Sequence, residues 1–382
     1  MRNGFNLSCM LETGCSNRDG GCSVKHQRHK WTTPYRFGDW THSALFLGVL
    51  IVSAVLASPV EAEPTDRWQE MTEAGIAARE QARYKEAEQF FLTARQELEL
   101  AGHSDARLAA TLNHLGLVAH EQGQYGRAKS YYEQALAIWE QASAESSPEV
   151  ATVLHNLGEI YQQDGEFDQA ETYYLRSLMI GERALGPGHP RLAVGYNGLG
   201  LLYRRQGRQI EAEARFHLAL AMLERWDGTH SPDAAPILNN LASLYKEKEL
   251  YVFAEPLYRQ SLAIRRAHMG DHHPAVALCL NNLANLYHAE GLSELADRTY
   301  REALASNERA QEPAEDLMGS ILGNWALLAQ ERGLLDEAKL RYERALVIQQ
   351  RRLGRSHPTV AWLLTRYTTV LRDLGQLSRQ GS

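Results

Sequence analysis

Six positions spaced 42 apart read Asn113, His155, Asn197, Asn239, Asn281 and Gly323, and five of these side chains both donate and accept hydrogen bonds. Residues four and seven places on share a helical face with them: Leu117 and His120, Glu159 and Gln162, Leu201 and Arg204, Ser243 and Lys246, Asn285 and His288, Leu327 and Gln330. The chemistry such a strip offers is hydrogen bonding, not bond making. An asparagine can hold the main chain of an extended peptide without demanding a particular side chain, at about 0.5–1.5 kcal/mol net per bond. A second asparagine follows the first position at Asn156, Asn240, Asn282 and Asn324. Two readings are open for the pair: a bond to a neighbouring helix that holds spacing, or a contact with a ligand.

Reactive groups are sparse. His268, His272 and His273 cluster in "HMGDHH", but histidine also precedes proline at His189 and His357, where capping the next helix is the simpler role. Of Cys9, Cys15, Cys22, His26 and His29, no two cysteines show the two-residue spacing of a zinc knuckle, and past residue 62 only Cys279 remains, so neither a metal site nor a disulfide is expected there. Asp297 and Glu302 have no converging partner, and the chain carries no phosphate-cradling loop, nucleophile elbow or zinc helix motif. The expectation is a protein without enzymatic activity or cofactor.

The elements that position the polar strip are repeats. Ala128, Ala170, Ala212, Ala254, Ala296 and Ala338 stand 42 apart, as do Tyr132, Tyr174, Phe216, Tyr258, Tyr300 and Tyr342, and Gly116, Gly158, Gly200, Ala242, Ala284 and Ala326. Each unit holds two runs of helical periodicity around a short turn, often with glycine: Gly123, Gly165, Gly207, Gly291 and Gly333. Most units open on Ser or His before Pro, as at Ser147-Pro148 and His273-Pro274, and proline suits a first helical position. Small residues at fixed points let helices approach closely, and bulky Tyr and Leu fill what remains. One such hairpin cannot bury its apolar face, so the units must stack.

Upstream, Ala44 to Ala57 is apolar and uncharged, with basic residues before it and Val60-Glu61-Ala62 after it, the layout of an export signal and cleavage site. At 14 residues it is short for a membrane span, which needs about 20. The long positive stretch before it suggests translation starting nearer Val24. The body after residue 62 carries 34 basic and 43 acidic side chains, net −9, which gives no electrostatic reason to bind nucleic acid or an anionic membrane.

Leu157, Gly158 and Tyr161, followed by Ala170, Tyr174 and Ser177, resemble the tetratricopeptide repeat. With "AEPLYRQSLAI", "GDHHPAVALCLNNLANLY" and "GPGHP", the 42-residue unit looks like the kinesin light chain type, and the likeness runs from residue 66 to about 375. It implies an all-α, right-handed superhelical solenoid of stacked helix-turn-helix units whose first helices line a groove, with the asparagine positions facing inward. Departures are local: Glu249 replaces a turn glycine, Pro236 sits inside a first helix, and Asp316 stands where other units have proline.

The expected organisation is a leader over 1–62, a degenerate first repeat over 63–105, six 42-residue units over 106–356, and a capping half repeat with tail over 357–382. The expected function is a scaffold binding a protein or peptide through Asn197, Arg204, Asn239, Lys246, Asn281, Asn285 and His288, with Arg204, Arg205 and Lys246 favouring an acidic or polar segment. Replacing Asn239 and Asn281 by alanine should then weaken capture and leave melting unchanged. The alternative is a structural component that assembles through its convex face or its ends. Export to the periplasm is expected, or anchoring in the inner membrane by residues 44–60, the one route to membrane contact.

Overall fold

The computed structural model describes residues 64–141, 147–227 and 231–380, all within the unit Glu61–Ser382. The leader, its apolar segment and its cysteines lie outside the described residues. Among the described residues there are fifteen α-helices and no strand, as the repeat pattern requires. They form seven hairpins: α1 (Pro64–Glu80) with α2 (Tyr84–Leu100), α3 (Ala106–Glu121) with α4 (Tyr125–Gln141), α5 (Pro148–Asp164) with α6 (Phe167–Leu185), and α7 (Leu192–Arg205) with α8 (Gln209–Asp227). Then come α9 (Ala234–Glu247) with α10 (Tyr251–Met269), α11 (Pro274–Ala289) with α12 (Ser293–Glu308), and α13 (Glu315–Glu331) with α14 (Leu335–Leu353), before the closing helix α15 (Pro358–Gln380). The result is an all-α repeat solenoid.

Each hairpin is held by one recurring contact. Gly158 lies on α5 where α6 presents Tyr174, and a Cβ on that glycine would sit 2.9 Å from the ring. Gly75 meets Phe91 in the same way on α1 and α2, 41 residues before Gly116 and Tyr132, which places the first hairpin one residue out of the 42 register. The aromatic series Tyr132, Tyr174, Phe216, Tyr258, Tyr300 and Tyr342 is at most 1% exposed throughout, and the alanine series from Ala128 to Ala338 is fully buried. Small against large at a fixed phase sets the spacing of the whole stack.

Units are joined by a second recurring contact. Tyr203 donates to Glu171 at 2.7 Å, Tyr245 to Glu213 at 2.8 Å, Tyr287 to Glu255 at 3.0 Å, and Trp325 to Asp297 at 2.7 Å, each from a first helix to the preceding second helix. Asp297, considered as a lone carboxylate in the sequence, has this structural role.

Proline is the first helical residue of α5, α11 and α15, whereas Pro190 and Pro232 lie in turns and α7 and α9 begin two residues later, at Leu192 and Ala234. Ser147 Oγ accepts from Val150 N, and Nδ1 of His189, His273 and His357 accepts from the backbone N–H two residues on, at 3.1–3.2 Å. The sequence departures are absorbed locally. Pro236 is the third residue of α9, where a missing N–H costs nothing. Asp316, standing in for proline, receives both Nε and Nη2 of Arg352 at 2.9 Å. Glu249 takes the left-handed turn at φ +58° that Gly165 takes at φ +81°. No helix among the described residues is long and apolar enough to cross a membrane.

Candidate functional site

First helices of successive units pack against one another, α5 on α7, α7 on α9, α9 on α11 and α11 on α13, whereas among the described residues no two second helices pack closely. The first-helix side is therefore the inside of the curve, and the polar strip lies along it.

The asparagine pairs form rungs across this inner face. Asn240 Nδ2 donates to Asn197 Oδ1 at 2.9 Å, Asn282 Nδ2 to Asn239 Oδ1 at 2.8 Å, and Asn324 Nδ2 to Asn281 Oδ1 at 3.3 Å. The second asparagine thus bonds the neighbouring helix, and the first is its acceptor. Because every rung runs in the same direction, Nδ2 of Asn197, Asn239 and Asn281 remains without a protein partner among the described residues, one free amide group per unit. Asn113 and Asn156 occupy the same two positions without forming the rung: Asn113 Oδ1 is buried and unbonded, and the buried Asn156 side chain lies near the Tyr132 hydroxyl.

The other four predicted side chains divide as follows. Arg204 makes a fork to the Glu247 carboxylate with bonds of 2.8–3.1 Å, and His288 Nε2 lies 2.8 Å from Glu331 Oε2. Asn285 Oδ1 accepts from the buried Tyr300 hydroxyl at 2.5 Å. Ser243, Gln162 and Gln330 serve Tyr258, Tyr174 and Tyr342 in the same way, and unit three, which has Phe216 instead of tyrosine, carries Leu201 and Arg204 at those positions. Lys246 alone has neither hydrogen bond nor ion pair among the described residues. Burial pushes its ammonium pKa down, and the nearby Glu247 offsets only part of that. Arg205, read as a groove cation, donates to the Gln162 carbonyl at 2.8 Å. Of the positive centre expected of the groove, Arg204 is neutralised by Glu247, Arg205 is tied to a carbonyl, and Lys246 stays unpaired among the described residues.

A cavity of about 760 Å³ lies elsewhere on the inner face, across α5, α7 and α9, with α6 at its back. Its walls are mainly apolar, with Leu178, Leu192, Val194 and Ile237 among them, and its polar lining includes Asn113, Thr152, His155, Asn156 and Asn197. Glu149, Arg191 and Asp233 are exposed at its edge, and none has an ion-pair partner among the described residues. Of the predicted site residues only Asn197 reaches it. A signal for the rest was present: in the 42-residue register Glu149, Arg191 and Asp233 are charged where the next two units have Ala275 and Leu317. Among the described residues no three His, Cys, Asp or Glu side chains converge as a metal site would require.

Two sequence models of the tetratricopeptide repeat match the chain, one at residues 70–141, 149–225 and 233–309, the other at 319–359. No curated protein matches. Among solved structures the chain is similar to the apo form of RapI, with TM-score 0.57 and 15% identity over 74% of this chain and 97% of that one. It is also similar to a tetratricopeptide repeat protein from Parabacteroides merdae, with TM-score 0.54 and 18% identity over 79% and 99% of the two chains. BtubC (BKLC) from P. vanneervenii aligns at TM-score 0.47 and 20% identity over 78% and 95%. At these identities the likeness concerns the fold alone.

Proposed function

We propose, from the premise that this chain belongs to the tetratricopeptide repeat family, that its inner face captures an extended segment of another protein and does no chemistry on it. The fold is that of a protein–protein interaction scaffold. The observation that carries the groove reading is the set of unidirectional rungs: the stack fixes the amides of Asn197, Asn239 and Asn281 and leaves their Nδ2 donors free at regular spacing. Donors fixed in advance lose little ordering entropy on binding. Lys246 and His288 continue the same face, Lys246 unpaired and His288 against Glu331.

The test uses two groove variants that spare the rungs, Lys246→Glu and Leu278→Trp, the latter at a half-exposed position one turn before Asn281. Both should melt like the parent chain and lose partner capture in pull-downs from cells. Undiminished capture by both would remove the groove.

A second reading, assembly through the outer face, draws on Leu340 and Val347, exposed at 69% and 67% on α14. Light scattering of the purified chain separates the two, since self-association without a ligand belongs to assembly. Export by the apolar segment 44–57 completes the proposal and places the scaffold in the envelope. An alkaline phosphatase fusion after residue 70 should be active outside the cytoplasm; activity confined to a cytoplasmic control would defeat it.

A further inference from the structure

The cavity across α5, α7 and α9 differs from the rest of the inner face in three ways. It is mostly apolar, it contains an incomplete rung, and its edge charges are uncommitted. The incomplete rung supplies the polar part: Asn113 Oδ1 is buried and unbonded, and Asn156, 8% exposed, has its side chain near the buried Tyr132 hydroxyl instead of on Asn113. A buried acceptor left without a partner costs stability. The accessible polar group at the cavity is the free Nδ2 of Asn197, to which an extended main chain offers a carbonyl.

Charge narrows the class of peptide. Of the cations that would have drawn an acidic segment, Arg204 is held by Glu247 and Arg205 by the Gln162 carbonyl, and the unpaired Lys246 is not among the residues that line this cavity. The uncommitted charges at the cavity are two carboxylates, Glu149 on α5 and Asp233 beside the start of α9, with the single guanidinium of Arg191 between them at the start of α7. The body as a whole carries net −9. Complementarity therefore favours a basic partner, with no second basic group opposite Arg191.

We propose that this cavity seats one apolar side chain of an extended, basic segment, with Lys or Arg residues on either side of the anchor reaching Glu149 and Asp233. The inference rests on the groove reading and specifies its ligand. Helix axes about 8–10 Å apart place α5 and α9 about 16–20 Å from each other. An extended chain advances about 3.3–3.6 Å per residue, so the two basic residues should stand roughly five or six positions apart with the anchor midway.

The experiment offers the purified chain a positional-scanning library of dodecapeptides, acetylated and amidated so that the ends carry no charge. The expected selection is Leu, Met or Phe at one position, flanked on both sides by Lys or Arg. Val194→Trp fills the cavity from a residue 54% exposed, so folding is undisturbed, and should weaken the selected peptide at least ~10-fold. Glu149→Lys with Asp233→Lys should turn the flanking preference acidic. Selection of acidic or anchorless peptides by the parent chain would overturn the proposal. So would a charge-reversed variant that keeps the basic preference. Binding lost in Leu278→Trp and retained in Val194→Trp would leave the groove standing and remove the cavity. Absence of any peptide binding would remove both.

Discussion

At the scale of single residues, the same amides serve the stack and face the groove. Asn239 Oδ1 is committed to Asn282, so Asn239→Ala strands a half-buried amide and should cost about 1–3 kcal/mol of stability. The sequence alone had suggested that melting would not change. Combining Asn239→Ala with Asn282→Ala should cost less than the two singles together, by about 0.5–1.5 kcal/mol in urea titrations, and simple additivity would refute the rung. His114 gives a pH signature. It stacks on Phe91 at 5.0 Å, and burial, helped by Arg79, lowers its pKa from 6.5 to about 4. Between those values the unfolded chain holds the extra proton and the folded chain does not. The stabilisation is therefore complete above pH 6.5 and drains as pH falls toward 4, by on the order of 3 kcal/mol. His114→Asn, which installs the residue found at 156, 240, 282 and 324, should flatten the fall in urea midpoint between pH 7.5 and 4.5. An equal fall in both chains would contradict this.

At the scale of elements, the hairpin was legible because its packing repeats in sequence. Ala128 to Ala338 and Tyr132 to Tyr342 mark the period, and the contacts they make lie within a unit or follow its phase. The ties between first helices were not legible, because they run 43 residues apart, one step beyond the repeat. Asn197 to Asn240, Arg204 to Glu247, His288 to Glu331 and Gln162 to Arg205 all obey that offset. It becomes visible only when two helices are laid side by side. For the same reason Arg204 read as a free groove cation, whereas Asn285 read as a free amide because its partner, the Tyr300 hydroxyl, comes from the second helix of its own hairpin. The turns hold a simpler lesson. Glu249 sits at φ +58°, exposed, in a conformation that costs a side chain about 1–2 kcal/mol. Glu249→Gly should raise the thermal midpoint, with a gain of about 1 kcal/mol, and a lower midpoint would show that the glutamate makes a compensating contact.

At the scale of the whole molecule, repetition creates a surface that no unit has alone. One hairpin offers one amide and one edge charge, whereas α5, α7 and α9 together enclose a cavity of about 760 Å³. The rungs and the ties between first helices engage much of the inner face's polar surface, and the proposed groove would then recognise its partner through the free Nδ2 donors, Lys246 and the cavity edge. A partner that lies along the inside of the curve must touch several units at once. Photo-crosslinking in cells tests this most directly, with a benzophenone side chain at inner positions Val194 or Ser320, or at outer positions Leu340 or Val347. The groove predicts a defined protein adduct from the two inner positions and none from the outer pair. Adducts from Leu340 and Val347 with none from Val194 and Ser320 would contradict it.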